Sequence, residues 1–149
     1  MIQFRVHKDW FKNETVAVKG FCFDEENNFH QDETLLTYFS GFDNFDNFID
    51  KVKTANGIFS VIVKHKEQTW AACDKSRVYP LFYSLQNGAF KISDNPYELL
   101  PNHLQIDKEA ENEYLASSIT FGEKTLVKGI FQLQPSFCQI GRASCRERV

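Results

Sequence analysis

Apolar residues recur along this chain with two periods. From Asn44 to Ala55, Phe45, Phe48, Ile49 and Val52 fall at i, i+3, i+4 and i+7, the single stripe of an amphipathic helix. Asp43 or Asn44 is placed to cap it, and Asn56-Gly57 reads as its stop. Ile58 to Val63 is then apolar except at Ser60. Four of those residues are β-branched, which predicts a strand covered on both faces. His65-Lys66-Glu67 is a polar turn of hairpin length. Thr69 to Cys73 and Val78 to Tyr83 are expected as the next two strands of the same layered sheet.

The remaining pattern is shorter in range. Ile2 to Val6 and Thr15 to Phe23 read as strands that could pair as a hairpin, with a polar connection between them. Asp24 to Asn28 is a charged turn. Glu33 to Phe39 is a short helix with Asp32 as its cap. Gln86-Asn87-Gly88 is a hairpin turn, because Asn-Gly accepts positive φ angles, and Ala89 to Ser93 is the returning strand. Asn95-Pro96 opens a short helical segment through Leu100. Asp107 caps a helix from Lys108 to Ser117, with Ala110, Tyr114 and Leu115 expected inward. Gly122 marks a turn, and Leu126 to Leu133 reads as extended. No internal repeat, low-complexity stretch or linker interrupts the sequence.

At 149 residues the chain supports one domain and one core. Fifteen phenylalanines supply ample interior. No apolar run reaches membrane-spanning length, and Arg5, Lys8 and Asp9 break any signal peptide, so the expected location is cytoplasmic, with no membrane partner. The net charge of −3, with Lys and Arg scattered, argues against a nucleic-acid surface. Cys22, Cys73, Cys138 and Cys145 form no Cys-x-x-Cys pair and read as reduced thiols, not a zinc site or disulfide framework. His7, His30, His65 and His103 have no metal-ligand spacing, so no metal site is expected. The last ten residues, Ile140 to Val149, resemble a translated short-read sequencing adapter. They are set aside as a scar, leaving 1–139 as the natural domain, truncated at its C-terminal end.

Four segments together carry a family resemblance. Asn56-Gly57-Ile58-Phe59-Ser60-Val61 comes first, then Ala72-Cys73-Asp74-Lys75-Ser76-Arg77-Val78-Tyr79-Pro80-Leu81-Phe82-Tyr83. Gly88-Ala89-Phe90-Lys91-Ile92-Ser93-Asp94 follows, and then Thr125-Leu126-Val127-Lys128-Gly129-Ile130 with Gln132-Leu133-Gln134-Pro135. In this order and spacing they resemble the N-terminal class II (type 2) glutamine amidotransferase domain of asparagine synthase-like proteins. The resemblance implies an α+β fold, a four-layer α/β/β/α sandwich of two antiparallel sheets of the Ntn-hydrolase kind. It implies a C-terminal synthetase domain as partner, using ATP and Mg, with no cofactor in this chain itself. Glutamine as a bound ligand and a homodimer both stay open.

In that family a cysteine at the mature N-terminus attacks the glutamine amide, with its own α-amine as base. An α-amine titrates near neutrality, at about 7.7–8.0, and an adjacent base raises the thiolate population. Here Met1-Ile2-Gln3 offers no thiol, so no catalytic residue is assigned. Asn56 stands where the family often has an Asp that holds the substrate's ammonium group. Asn56 and Gly57 are therefore substrate-binding candidates, with a helix stop as the plainer role. Arg77 replaces a glycine, Cys73 an arginine, and Ser136-Phe137 a Gly-His pair. Asp74 and Arg77 are expected to close a turn as a pair. Asp94 is expected to cap the Pro96 segment, an interdomain contact being its other reading. Three readings follow: a degenerate, structural or regulatory glutaminase-like domain, an active amidohydrolase supplying ammonia, or a stand-alone binding module.

Overall fold

The computed structural model describes residues 4–86, 89–135, 137–140 and 146–148. The helical stripe forms α2, Phe45–Thr54, with Phe48, Ile49 and Val52 buried and the Asn44 side chain accepting from Asn47 N at 2.9 Å. Before it, α1 spans Glu33–Tyr38. Asp32 precedes α1 but does not cap it. Its φ is +54°, its side chain makes no cap bond, and Thr34 Oγ1 accepts from Gln31 N instead.

The strands in chain order are β1 (Phe4–Arg5), β2 (Phe11–Lys12), β3 (Val16–Phe23), β4 (Phe29–Gln31), β5 (Asn56–His65), β6 (Gln68–Cys73), β7 (Phe82–Gln86), β8 (Ala89–Ser93), β9 (Ile130–Gln132), β10 (Phe137–Ile140) and β11 (Arg146–Arg148). The larger sheet runs β11-β10-β6-β5-β3-β2, with β4 also on β3, and every pairing in it is antiparallel. The smaller sheet runs β1-β8-β7-β9.

Alternation along the larger sheet builds two cores. Val16, Val18, Cys22, Phe59, Val61, Val63 and Trp70 face α1 and α2, which contribute Leu35, Phe39, Phe48, Ile49 and Val52. Ala17, Ile62, Ala71 and Cys73 face the smaller sheet, which contributes Leu81, Tyr83, Phe90 and Ile92. On the side of the smaller sheet a 3-10 turn, Pro96–Leu99, packs on β7 and β8. There α3, Lys108–Ser117, is tied through Glu109 and Glu113 to Lys124, which bridges to Phe131 of β9. Leu99 and Ala110 are buried. The expected four-layer α/β/β/α sandwich is therefore present.

Four expectations are corrected. The N-terminal strand does not form a hairpin with β3. β1 pairs in parallel with β8, Phe4 opposite Ile92, the one parallel ladder among the described pairs. The partner of β3 on that side is the two-residue β2, inside the stretch expected to be a plain connection. Val78 to Leu81 is not strand but a crossover, and β7 beyond it belongs to the smaller sheet. On α3, Tyr114 and Leu115 point outward, at 47% and 77% exposure. The Asn87-Gly88 turn lies outside the described residues, although Gln86 and Ala89 pair across it. Residues 141–145 and 149 of the tail also lie outside them, while β11 pairs with β10.

Candidate functional site

The β5–β6 hairpin turns at Lys66-Glu67, with His65 opposite Gln68. Its opposite end is open. There Asn56-Gly57, Asp74-Lys75 and the last turn of α2 surround a cavity of about 220 Å³, floored by Val52, Ala55 and Phe59. The two substrate-binding candidates are thus together at a concave site. Asn56 is exposed, and Gly57 is half-buried.

Gly57 is not a helix stop. The helix ends at Thr54 with Ala55 as its C-cap, and Gly57 already sits in β5 opposite Cys22, without a positive φ. A Cβ there would collide with the Phe21 carbonyl oxygen and lie 2.6 Å from Cys22 Cα. Close backbone approach, not left-handed geometry, demands glycine here. At Gly20 both causes act: φ is +100° and a Cβ would strike the Ile58 carbonyl oxygen. A glycine inside an apolar strand is itself a sequence signal of close backbone approach.

Asp74 is buried and fully engaged. Oδ1 accepts from Ser76 N at 2.6 Å and Arg77 N at 3.1 Å, and Oδ2 from Phe59 N at 3.2 Å. The turn is closed by backbone donors and not by the expected side-chain ion pair. The Arg77 guanidinium instead donates to Gln132 Oε1 at 2.8 Å. Arg77 itself holds φ +48°, a left-handed conformation that costs a non-glycine residue about 1–2 kcal/mol. Ser60 Oγ donates to Tyr79 O at 2.5 Å, which fastens the crossover to the larger sheet.

The two thiols with described side chains lie on opposite faces of that sheet. Cys22 is buried against the helices and Cys73 against the smaller sheet, with Cys73 Sγ donating to Gln134 O at 3.3 Å. Burial pushes each thiol up to about 12, assisted by the Asp24 charge for Cys22 and by Asp74 for Cys73. Neither is a reactive thiolate near neutral pH. The expected absence of a cysteine at Met1-Ile2 concerns residues outside those described.

Asp94 does not cap the Pro96 turn. Asn95 does, accepting from Tyr97 N at 3.1 Å. Asp94 instead accepts from the Trp10 indole at 2.8 Å and from His7 N at 3.2 Å, tying the N-terminal segment to the end of β8. His30 pairs with Asp24 at 3.0 Å and stacks on Tyr38, and His65 stacks on Trp70. The His30 and Asn28 hydrogen bonds hold the Asp24 carboxyl well below its ordinary range. Among the described residues no three His, Cys, Asp or Glu side chains gather as a metal site, and no helix is long and apolar enough to cross a membrane.

Sequence reasoning passed over Lys53 and Lys75 at the rim of the cavity. They are far apart in sequence and meet only because the α2–β5 junction lies beside the end of β6.

A family model described as a glutamine amidotransferase domain matches residues 33–148. Among solved structures, glutamine phosphoribosylpyrophosphate (PRPP) amidotransferase from B. subtilis, complexed with ADP and GMP, is similar with a TM-score of 0.49 and 11% sequence identity. The match covers 92% of this chain and 30% of that one, so the chain spans under a third of that protein's length. No curated protein matches the sequence.

Proposed function

The chain belongs to the glutamine amidotransferase domain family, and from that premise we propose that it is a non-hydrolysing member with a structural or regulatory role. The observation that carries this reading is the state of the two thiols among the described side chains. Cys22 and Cys73 are both closed inside strands, with their ionisation pushed up to about 12. Amide hydrolysis by this family's chemistry needs a thiolate with a base beside it. A thiol without solvent access cannot reach a glutamine side chain.

The parent protein in this reading is an asparagine synthase-like, ATP-dependent amide-forming enzyme. The four sequence segments from Asn56 to Pro135 support that parentage. ATP and Mg would belong to a separate synthetase domain. Within the parent, this domain would hold that partner in place or report on glutamine.

The direct test is ammonia release from glutamine by the 149-residue chain, with and without a thiol alkylator. No release above the buffer rate is expected. Release that the alkylator abolishes means an active amidohydrolase and removes the proposal. Parentage is tested separately, by reading the coding DNA beyond the codon for Gln139. An open frame entering a Ser-Gly-Gly-x-Asp-Ser type pyrophosphate-binding loop is expected, and an immediate stop codon contradicts it.

A further inference from the structure

The geometry points to the cavity at the open end of the β5–β6 hairpin as a binding site for a small organic anion. The ligand class is a single carboxylate or phosphate group on a short apolar body. The inference does not depend on whether the domain hydrolyses glutamine.

Charge is the first ground. Lys53 and Lys75 line the cavity, both are exposed, and neither makes an ion pair among the described residues. One carboxylate, Asp74, also lines it, but three backbone N–H donors already hold that group. Two cations therefore face one committed anion, leaving an excess positive charge at a concave surface. A low-dielectric wall strengthens such a charge toward an incoming anion.

The walls supply the second ground. Val52 and Phe59 are buried side chains, and with Ala55 they give the cavity an apolar floor. The Asn56 side chain stands beside it with both donor and acceptor capacity. A few polar groups over an apolar floor is the usual make-up of a small-molecule site. The size sets the limit. About 220 Å³ lies below the roughly 300–1,000 Å³ usual for pockets that take drug-sized ligands, which suits a metabolite-sized acid.

A plainer role exists for one of the lysines. Lys53 lies in the last turn of α2, where a cation offsets the negative end of the helix dipole. Lys75 lies on the turn after β6 and has no such role. A dipole function predicts a stability change on losing Lys53 but no ligand response.

The test is an amide NMR titration of the full 149-residue chain with butyrate, acetate, inorganic phosphate and chloride at constant ionic strength. Saturable shifts at Asn56 and Gly57 are expected with butyrate or phosphate and not with chloride. Butyrate should bind about tenfold more tightly than acetate, since each buried CH₂ is worth about 0.8 kcal/mol. The phosphate and butyrate arms separate the two head groups. The variant K53Q/K75Q, altered only at exposed side chains, should keep the native spectrum and lose the saturable shifts. Linear shifts matching chloride, or saturation unchanged in K53Q/K75Q, would overturn the site.

Discussion

The two helical covers of this sandwich differ in kind. On the larger sheet, α2 buries a full stripe, and the rings of Phe45, Phe48 and Trp70 pack within 6.0 Å of one another. On the smaller sheet, α3 buries only Ala110, while Tyr114 and Leu115 face out. Both helices are capped in the same way, Asn44 on one and Asp107 on the other. The caps define where each helix begins, and only the stripe fixes how firmly it is held. One cover is core, and the other is held largely by its rim, where Lys124 bridges Glu109 and Glu113 at 2.9 and 2.8 Å.

Substitutions can break or sharpen this contrast. Phe48→Ala should cost about 3–5 kcal/mol in urea unfolding, because Phe48 is fully buried between α2 and the sheet. A cost near 1 kcal/mol would mean that the two covers are alike. Gly57→Ala, which leaves both helices untouched, should cost about 1–3 kcal/mol through overpacking of β5 against β3, read as a fall in Tm. Asn44→Ala and Asp107→Ala should each cost about 1 kcal/mol. A markedly smaller loss for Asp107 would show α3 fraying without the rest of the fold, visible as faster amide exchange confined to that helix. Leu115→Ala should change stability by no more than about 0.5 kcal/mol.

The same contrast explains what was legible in the sequence. The α2 stripe and its Asn44 cap are local features, and both formed as expected. So did the β5–β6 hairpin, whose register follows from alternation across a short turn. Tyr114 and Leu115 misled because α3 has little amphipathic character, so its inward face had no stripe to declare it. Val78 to Tyr83 misled for another reason. Its composition suits a strand in either sheet, and the deciding contacts, Ser60 with Tyr79 and Asp74 with Phe59 N, are tertiary. The β1–β8 ladder joins residues more than half the chain apart, Phe4 with Ile92, which no local pattern encodes. At the candidate site, Asn56-Gly57 was found by resemblance. Gly57 was assigned the wrong physical role, and the lysines were missed because the fold brings them together.

The larger sheet also sets the pH behaviour. Cys22 and Cys73 stay neutral up to about 12 when folded, but an unfolded cysteine ionises near ~8.5. The unfolded chain therefore loses these protons first. Their contribution to stability is complete below about 8.5 and is lost as pH rises from there toward about 12. The urea midpoint should decline across that window, and Cys22→Ala should flatten the decline.

The most direct test of the non-hydrolysing account is site-resolved alkylation of these two thiols by iodoacetamide at neutral pH, followed by mass spectrometry. The account predicts that Cys22 and Cys73 stay unlabelled in the native chain and label fully once urea unfolds it. Labelling of either residue in the native chain at the rate of a free thiol would contradict it, because a thiol open to the reagent is open to a substrate.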